Sequence, residues 1–197
     1  MAKLDRYAEL LAEWQAKYNL VGPATLPEVW TRHFADSAQL ASLAPRGSRW
    51  LDIGSGGGFP GLVIALIAGD SVCLVDSVRK KTAFLAAVRA ELGLEALAEI
   101  RTERVESMTS TKFDVITARA CAQIVKLFDW GLRHAAQSTL WLLPKGANVA
   151  EEIEEAKRRF DFTHELVDSR TDPRGRIVKA HGVRRRGSDR PKARGKR

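Results

Sequence analysis

The chain has little of what would place it in several common classes. Two cysteines, Cys73 and Cys121, in 197 residues are too few for a disulfide framework. Neither has a second Cys or His at metal-ligand spacing, so no metal is expected, and both thiols are expected reduced in apolar surroundings. No apolar run approaches the roughly 20 residues that span a bilayer. The N-terminal MAKLDRYAELL carries acids and lacks a small-residue cleavage site, so it does not read as a signal peptide. No Ser-His-Asp or Cys-His constellation stands out, and no internal repeat is visible. These absences point to a cytoplasmic protein with no membrane partner, and no obligate protein partner is evident.

What is present is an ordinary bulk with an uneven charge. With 45% hydrophobic and 28% charged residues the chain can bury a sizeable core, and its length suits one domain. The net charge is +8, yet eight basic residues and a single acid, Asp189, fall between Arg184 and Arg197. The body before them is nearly neutral. A basic segment with Gly, Pro and no apolar periodicity predicts a disordered tail over 184–197, after a domain over 1–183. Such a tail attracts polyanions by counterion release, which supplies affinity but no sequence choice. A solubilising appendage would look the same.

The spacing of Leu4, Tyr7, Leu11, Trp14 and Tyr18 predicts an amphipathic helix from Lys3 to Tyr18, and a second helical pattern runs from Glu28 to Leu43. These make an N-terminal helical extension over 1–45. From residue 46 the texture changes to short apolar runs alternating with helical patterns, the mark of βαβ units and a parallel sheet. Strands are expected near Trp50–Ile53, Val72–Asp76, Ala98–Thr102, Phe113–Ala118, Thr139–Leu143, Thr163–Asp168 and Arg176–His181. Helices are expected near Leu62–Ile67, Lys80–Leu92, Ile124–Ala136 and Val149–Arg159. Five β-α units followed by two strands suit a Rossmann-like α/β core.

The stretch richest in chemistry is DIGSGGGFPG, from Asp52 to Gly61, directly after an apolar strand. Glycines there permit positive φ and close approach of backbone to a ligand. A second acid, Asp76, closes the next strand and suits hydrogen bonds from ribose hydroxyls. Gly56, Gly58 and Gly61 also satisfy the dinucleotide pattern G-x-G-x-x-G, so a NAD enzyme is a genuine rival. Asp52 separates the two. A pyrophosphate would be repelled by a carboxylate at the loop entrance, whereas the ammonium and sulfonium of S-adenosylmethionine would be attracted. Pro60 also removes one N–H that a phosphate nest would use.

The ordered pieces WQAKYNLV, RHFADS, DIGSGGGFPG, LVDSVRKKTAFL, RTERVES, FDVITARA and LPKG, spread over residues 14–146, carry a more specific likeness. The chain resembles the bacterial 16S rRNA guanine-N7 methyltransferases, the glucose-inhibited division protein B family. Phe34, Ala35 and Pro144 are mild variations on its motifs, and the basic tail lies outside its pattern. The resemblance implies the class I methyltransferase fold, a seven-stranded mostly parallel sheet whose last strand is antiparallel. It implies S-adenosyl-L-methionine as cofactor and 16S rRNA or the small ribosomal subunit as partner. Carried onto this chain, the cofactor contacts fall on Gly54, Phe59, Val105, Glu106 and Arg119, beside Asp52, Gly56, Gly58 and Asp76 from the loop argument.

Alternatives stay open at several of these positions. Val105 would offer an apolar wall and a backbone donor; Glu106 would cap the next helix equally well. Phe59 could pack under the loop. Arg119, at the mouth of the fourth strand, would hold the cofactor carboxylate or an RNA phosphate. His33 and Asp36 share a helical face, with a structural or a substrate role. Arg119, Lys145 and His33 are the candidates for positioning the reactants, and no residue is assigned as catalytic. Arg32, Lys80, Lys81, Lys145, Arg184, Arg185 and Arg186 are the candidate RNA contacts.

The chemistry asks little of the protein. Guanine N7 carries an unprotonated in-plane lone pair, so methyl transfer to it is an in-line displacement without a general base. A pyrimidine C5 enzyme would want a Pro-Cys nucleophile, and an adenine N6 enzyme an Asn/Asp-Pro-Pro-aromatic turn where this chain has TARA. The rivals are a methyltransferase for a small molecule or protein, and a non-catalytic RNA-binding protein with a vestigial loop.

Overall fold

The computed structural model describes residues 2–187. Strands β1 (Arg49–Ile53), β2 (Ser71–Val75), β3 (Ala98–Arg101), β4 (Phe113–Thr117), β5 (Ala135–Lys145), β6 (Phe160–Asp168) and β7 (Arg176–Arg185) form one sheet in the order β3-β2-β1-β4-β5-β7-β6. The first five are mutually parallel; β7 runs antiparallel between β5 and β6. The expected seven-stranded sheet with its last strand reversed is the observed one.

Alternation along each strand builds two cores. Trp50, Val72, Leu74, Val115, Leu140 and Leu142 face one side, with Leu51, Cys73, Val75, Ile116, Trp141 and Leu143 on the other. Burial on both faces explains why the central strands read as continuous apolar runs. Helices α1 (Ala2–Gln15), α2 (Asp36–Ala41), α3 (Gly61–Ala68) and α4 (Arg79–Leu92) supply residues to the first core. Helices α5 (Ile124–Gly131) and α6 (Val149–Arg159) cover the second. β1 leads through α3 to β2 on its one side, and β4 leads through α5 to β5 on the other. The chain therefore reverses its winding between β1 and β4, and the crevice at their carboxyl ends is the switch point of such a sheet.

Several sequence expectations differ from the structure. The helix expected over 28–43 is a 3-10 turn Pro23–Glu28, a π-helical turn Trp30–Ala35 and the short α2. Wide π turns occur where function sets side-chain positions, and this one carries His33. The helix expected to reach Ala136 stops at Gly131, continues as a 3-10 turn and yields to β5 at Ala135. Thr139 Oγ1 takes the Ala136 N–H and donates to Phe113 O, both at 2.7 Å, which draws a segment with weak strand propensity into the sheet.

The boundary expected at 184 falls inside β7. Arg184 and Arg185 pair in register with Asp161 and Phe160 of β6, and Arg186 N donates to Arg159 O. The acids Asp161 and Asp129 opposite them were invisible to a reading of the local composition. Residues 188–197 of the expected tail lie outside the described residues. Cys121 is also corrected, being exposed where apolar surroundings were expected, while Cys73 is buried. No helix among the described residues is long and apolar enough to cross a membrane.

Candidate active site

The glycine loop is held from below by residues far away in sequence. Tyr7 of α1 donates its hydroxyl to Gly57 O at 2.5 Å and stacks on Phe59, ring centroids 5.2 Å apart. A Cβ on Gly58, whose φ is +86°, would run into the Tyr7 hydroxyl and Leu62. The loop's own donors are engaged inside the protein. Gly54 N and Ser55 N bond Val75 O, Gly56 N bonds Asp76 Oδ2, Gly58 N bonds Ser55 O and Gly61 N bonds Asp52 Oδ2. The loop is thereby fastened to the ends of β1 and β2, and it offers few free N–H groups to a ligand.

Its two acids differ in setting. Asp52 is fully buried beneath the loop, with Oδ2 on Gly61 N and Oδ1 without a partner. Burial pushes its carboxyl up to about 7, opposed by the bond from Gly61, the nearby Ser55 hydroxyl and the charge of Arg119. It lies beneath the crevice and is not one of its walls. Asp76 accepts from Gly56 N at 3.0 Å and Val78 N at 2.8 Å, with the Lys81 ammonium 3.9 Å away. A carboxylate has about four lone-pair sites, so it keeps acceptor capacity.

Above the loop a cavity of about 1090 Å³ opens at the switch point. Gly54, Gly56, Phe59, Lys81 and Cys121 line one side; Arg32, Asp36 and the β6–β7 turn line the other, with Arg119 between. Arg119 Nη2 meets His33 Nδ1 at 2.7 Å, and Nη1 donates to Arg32 O at 2.7 Å, with Asp36 Oδ2 at 3.4 Å. Its guanidinium lies 5.2 Å from the centre of the Phe59 ring. Ala120, next to it, holds φ +51°, a conformation that costs energy for a residue with a Cβ and is typical of functional sites.

Hydrogen-bond logic assigns the His33 tautomer. Thr25 gives its one hydroxyl proton to Gly22 O at 2.7 Å, so it must accept from His33 Nε2, also 2.7 Å away. His33 Nδ1 is then bare and accepts from Arg119. Burial, then Arg119 and Arg32, hold the ring down at about 4, so the imidazole is neutral. Asp36 reaches the other way, accepting from Thr171 Oγ1 at 2.7 Å, while Gln39 Oε1 accepts from Arg170 N at 2.9 Å. The RHFADS segment thus bridges the crevice from β4 to the β6–β7 turn.

The family model GidB, described as rRNA small subunit methyltransferase G, matches residues 1–174. The chain belongs to this family. It is 39% identical over 185 residues to Ribosomal RNA small subunit methyltransferase G of Gluconobacter oxydans, covering 93% of this chain and 94% of that one. It is 43% identical to the Methylorubrum extorquens protein of the same name, with 93% and 89% covered. Among solved structures, an O-methyltransferase from Bacillus cereus in complex with SAH superposes with TM-score 0.62, at 16% identity and 92% and 91% coverage. That likeness concerns the fold.

For a GidB member, the expected residues spread unevenly around the crevice. Gly54, Gly56, Phe59, Arg32, His33, Lys81, Arg119 and Lys145 line it; Asp52, Gly58 and Asp76 support it from beneath. Val105 and Glu106 do not line it. Val105 is buried with its carbonyl on His134 Nε2 at 3.0 Å, and Glu106 is exposed. Lys145 is tied to Ala122 O at 2.6 Å and Glu152 at 2.8 Å, which leaves it poorly placed for RNA. Lys80 lies over the Tyr18 ring instead of the crevice. Arg184, Arg185 and Arg186 sit at the opposite end of β7 from the crevice, beside Asp129 and Asp161. Sequence reasoning missed Tyr7, Thr25, Gln39, Glu152 and the turn Ser169–Gly175, because each gains its meaning only from a distant partner.

Proposed function

We propose that this protein transfers a methyl group from S-adenosyl-L-methionine to N7 of a guanine in 16S rRNA, acting in the cytoplasm on the rRNA or the small ribosomal subunit. The single observation that carries the cofactor class is the glycine loop, whose N–H groups at Gly54, Ser55, Gly56, Gly58 and Gly61 already bond protein oxygens. A pyrophosphate would find almost no donors there and a buried carboxylate beneath. A phosphate-free cation fits both features, and family membership supports the rRNA acceptor.

When bound, the cofactor supplies an electrophilic methyl group. The rest falls to positioning. A cationic ligand would draw the buried Asp52 carboxyl into its ionised form and be favoured by it, and Asp76 would take ribose hydroxyls on its unused lone pairs. Arg119 would present its remaining N–H groups to the ligand carboxylate or to an RNA phosphate. Both ring nitrogens of His33 are engaged, so it is no general base, which agrees with an acceptor atom that has no proton to lose. The test is to map modified nucleotides in 16S rRNA from cells with and without the gene. One N7-methylguanine should disappear without it; an unchanged modification pattern would refute the reading.

A further inference from the structure

The β6–β7 turn, residues 169–175, carries basic side chains that the motif analysis did not single out. We propose that Arg170 and Arg174 form a phosphate-contacting rim that docks the RNA strand beside the crevice. This rests on the rRNA reading above and names where that partner is gripped.

Ser169, Thr171, Asp172 and Gly175 line the cavity, while Arg170 and Arg174 are exposed on its outer side. Their backbone is fixed. Arg170 N donates to Gln39 Oε1 at 2.9 Å, and Arg174 N donates to Asp172 Oδ1 at 2.9 Å. Arg176 closes the base of the turn by donating to Pro173 O and Gly175 O. Two cations are therefore presented from a fixed backbone next to the site of chemistry, so docking has to order their side chains but not the turn.

Charge balance then separates this cluster from the basic residues at the far end of the sheet. The acids near the turn are already taken, Asp172 by Arg32 at 3.2 Å and Asp168 by Arg176 at 3.0 Å. Neither the Arg170 nor the Arg174 guanidinium has a hydrogen bond or an ion pair with any described residue. At the far end of the sheet the pattern is reversed. Lys157 pairs with Glu154, Arg158 with Glu155, Arg159 with Asp129 and Arg186 with Asp161. Cations paired with neighbouring acids gain less from a phosphate than unpaired ones, and Asp172 acts on the Arg174 guanidinium only through its charge, without a direct ion pair. Across the crevice, Arg79 at the start of α4 is also exposed and without an ion pair among the described residues. Four strand spacings separate β2 from β7, roughly 19 Å, so one RNA strand laid across the mouth would meet both rims.

The experiment measures affinity for 16S rRNA and for small ribosomal subunits against salt. It uses the full chain, the R170E/R174E double variant and a far-end control, K157E/R158E. Each neutralised phosphate contributes roughly 0.7–0.9 to the slope of log K against log salt. The slope of R170E/R174E should therefore shrink by about 1.4–1.8, with methylation of RNA falling in parallel. The milder R170Q/R174Q should show a similar loss, and calorimetric S-adenosylmethionine binding should be unchanged in all variants. The control should keep the wild-type slope. A wild-type slope in R170E/R174E, or an equal loss in the control, would overturn the proposal. If the unaltered protein neither binds nor methylates rRNA, the acceptor reading fails and this inference falls with it. Loss of cofactor binding in the turn variants would point to a structural role and also overturn it.

Discussion

His33 shows how one side chain takes its state from its neighbours. Burial and the charges of Arg119 and Arg32 keep its ring neutral, and Arg119 and Thr25 fix which nitrogen carries the proton. His33→Asn keeps an acceptor near Nδ1 for Arg119, whereas His33→Gln places its amide near Nε2 and leaves Arg119 without one. The Gln variant should lose about 1.5–3 kcal/mol of transition-state stabilisation, roughly ten- to a hundredfold in kcat/KM, and the Asn variant clearly less. Equal losses in the two would show that the Arg119 contact is not what matters. Two buried groups also oppose each other in their pH dependence. Asp52, raised to about 7, holds a proton that the unfolded chain releases, so its contribution falls as pH rises from near 4 to 7. His33, lowered to about 4, refuses a proton that the unfolded chain takes, so its contribution falls as pH drops from 6.5 to 4. Asp52→Asn removes the first term only. Urea denaturation between pH 4 and 7.5 should show Asp52→Asn gaining on the wild type by a few kcal/mol as pH rises; parallel curves would contradict the assignment.

Among the elements, α1 does more than cover a core. Its apolar face reads as ordinary helix packing, yet Tyr7 reaches the glycine loop and fixes Gly57. Tyr7→Phe should cost about 0.5–1.5 kcal/mol by removing that bond and leaving a carbonyl unpaired, and it should weaken S-adenosylmethionine binding through a looser loop. Gly58→Ala should be worse, because a positive φ and a clash with Tyr7 and Leu62 act together. A loss of about 2 kcal/mol or more in chemical denaturation is expected, with cofactor binding largely gone by calorimetry. A Gly58→Ala protein that binds as well as the wild type would mean the loop tolerates a shape the structure forbids.

For the molecule as a whole, the charged C-terminal segment divides at the end of β7. Arg184 and Arg185 belong to β7 and sit over Asp129 and Asp161, so removing residues 184–197 deletes strand pairing and ion pairs together. Removing 188–197 leaves the strand whole. The shorter deletion should keep the urea midpoint and reduce only the salt slope of RNA binding. The longer one should lower the midpoint as well. Identical midpoints for the two truncations would argue that the end of β7 contributes nothing to stability.

Much of this architecture was written locally. Alternating apolar runs, the glycine loop and the acids at the ends of β1 and β2 are short-range patterns, and they set the strands, the crevice and the cofactor class. Helix and strand periods repeat within a few residues, so a single sequence displays them. Long-range pairings are not displayed that way. Thr139 pulled Ala135–Ser138 into β5, Asp161 and Asp129 drew Arg184 and Arg185 into β7, and Tyr7 found Gly57 across fifty positions of chain. The neutral state of His33, the burial of Asp52 under the loop and the exposed arginines of the β6–β7 turn also depend on which groups meet in space. A charge or hydrogen bond is decided by its partner and its distance from water, and only the folded chain supplies both.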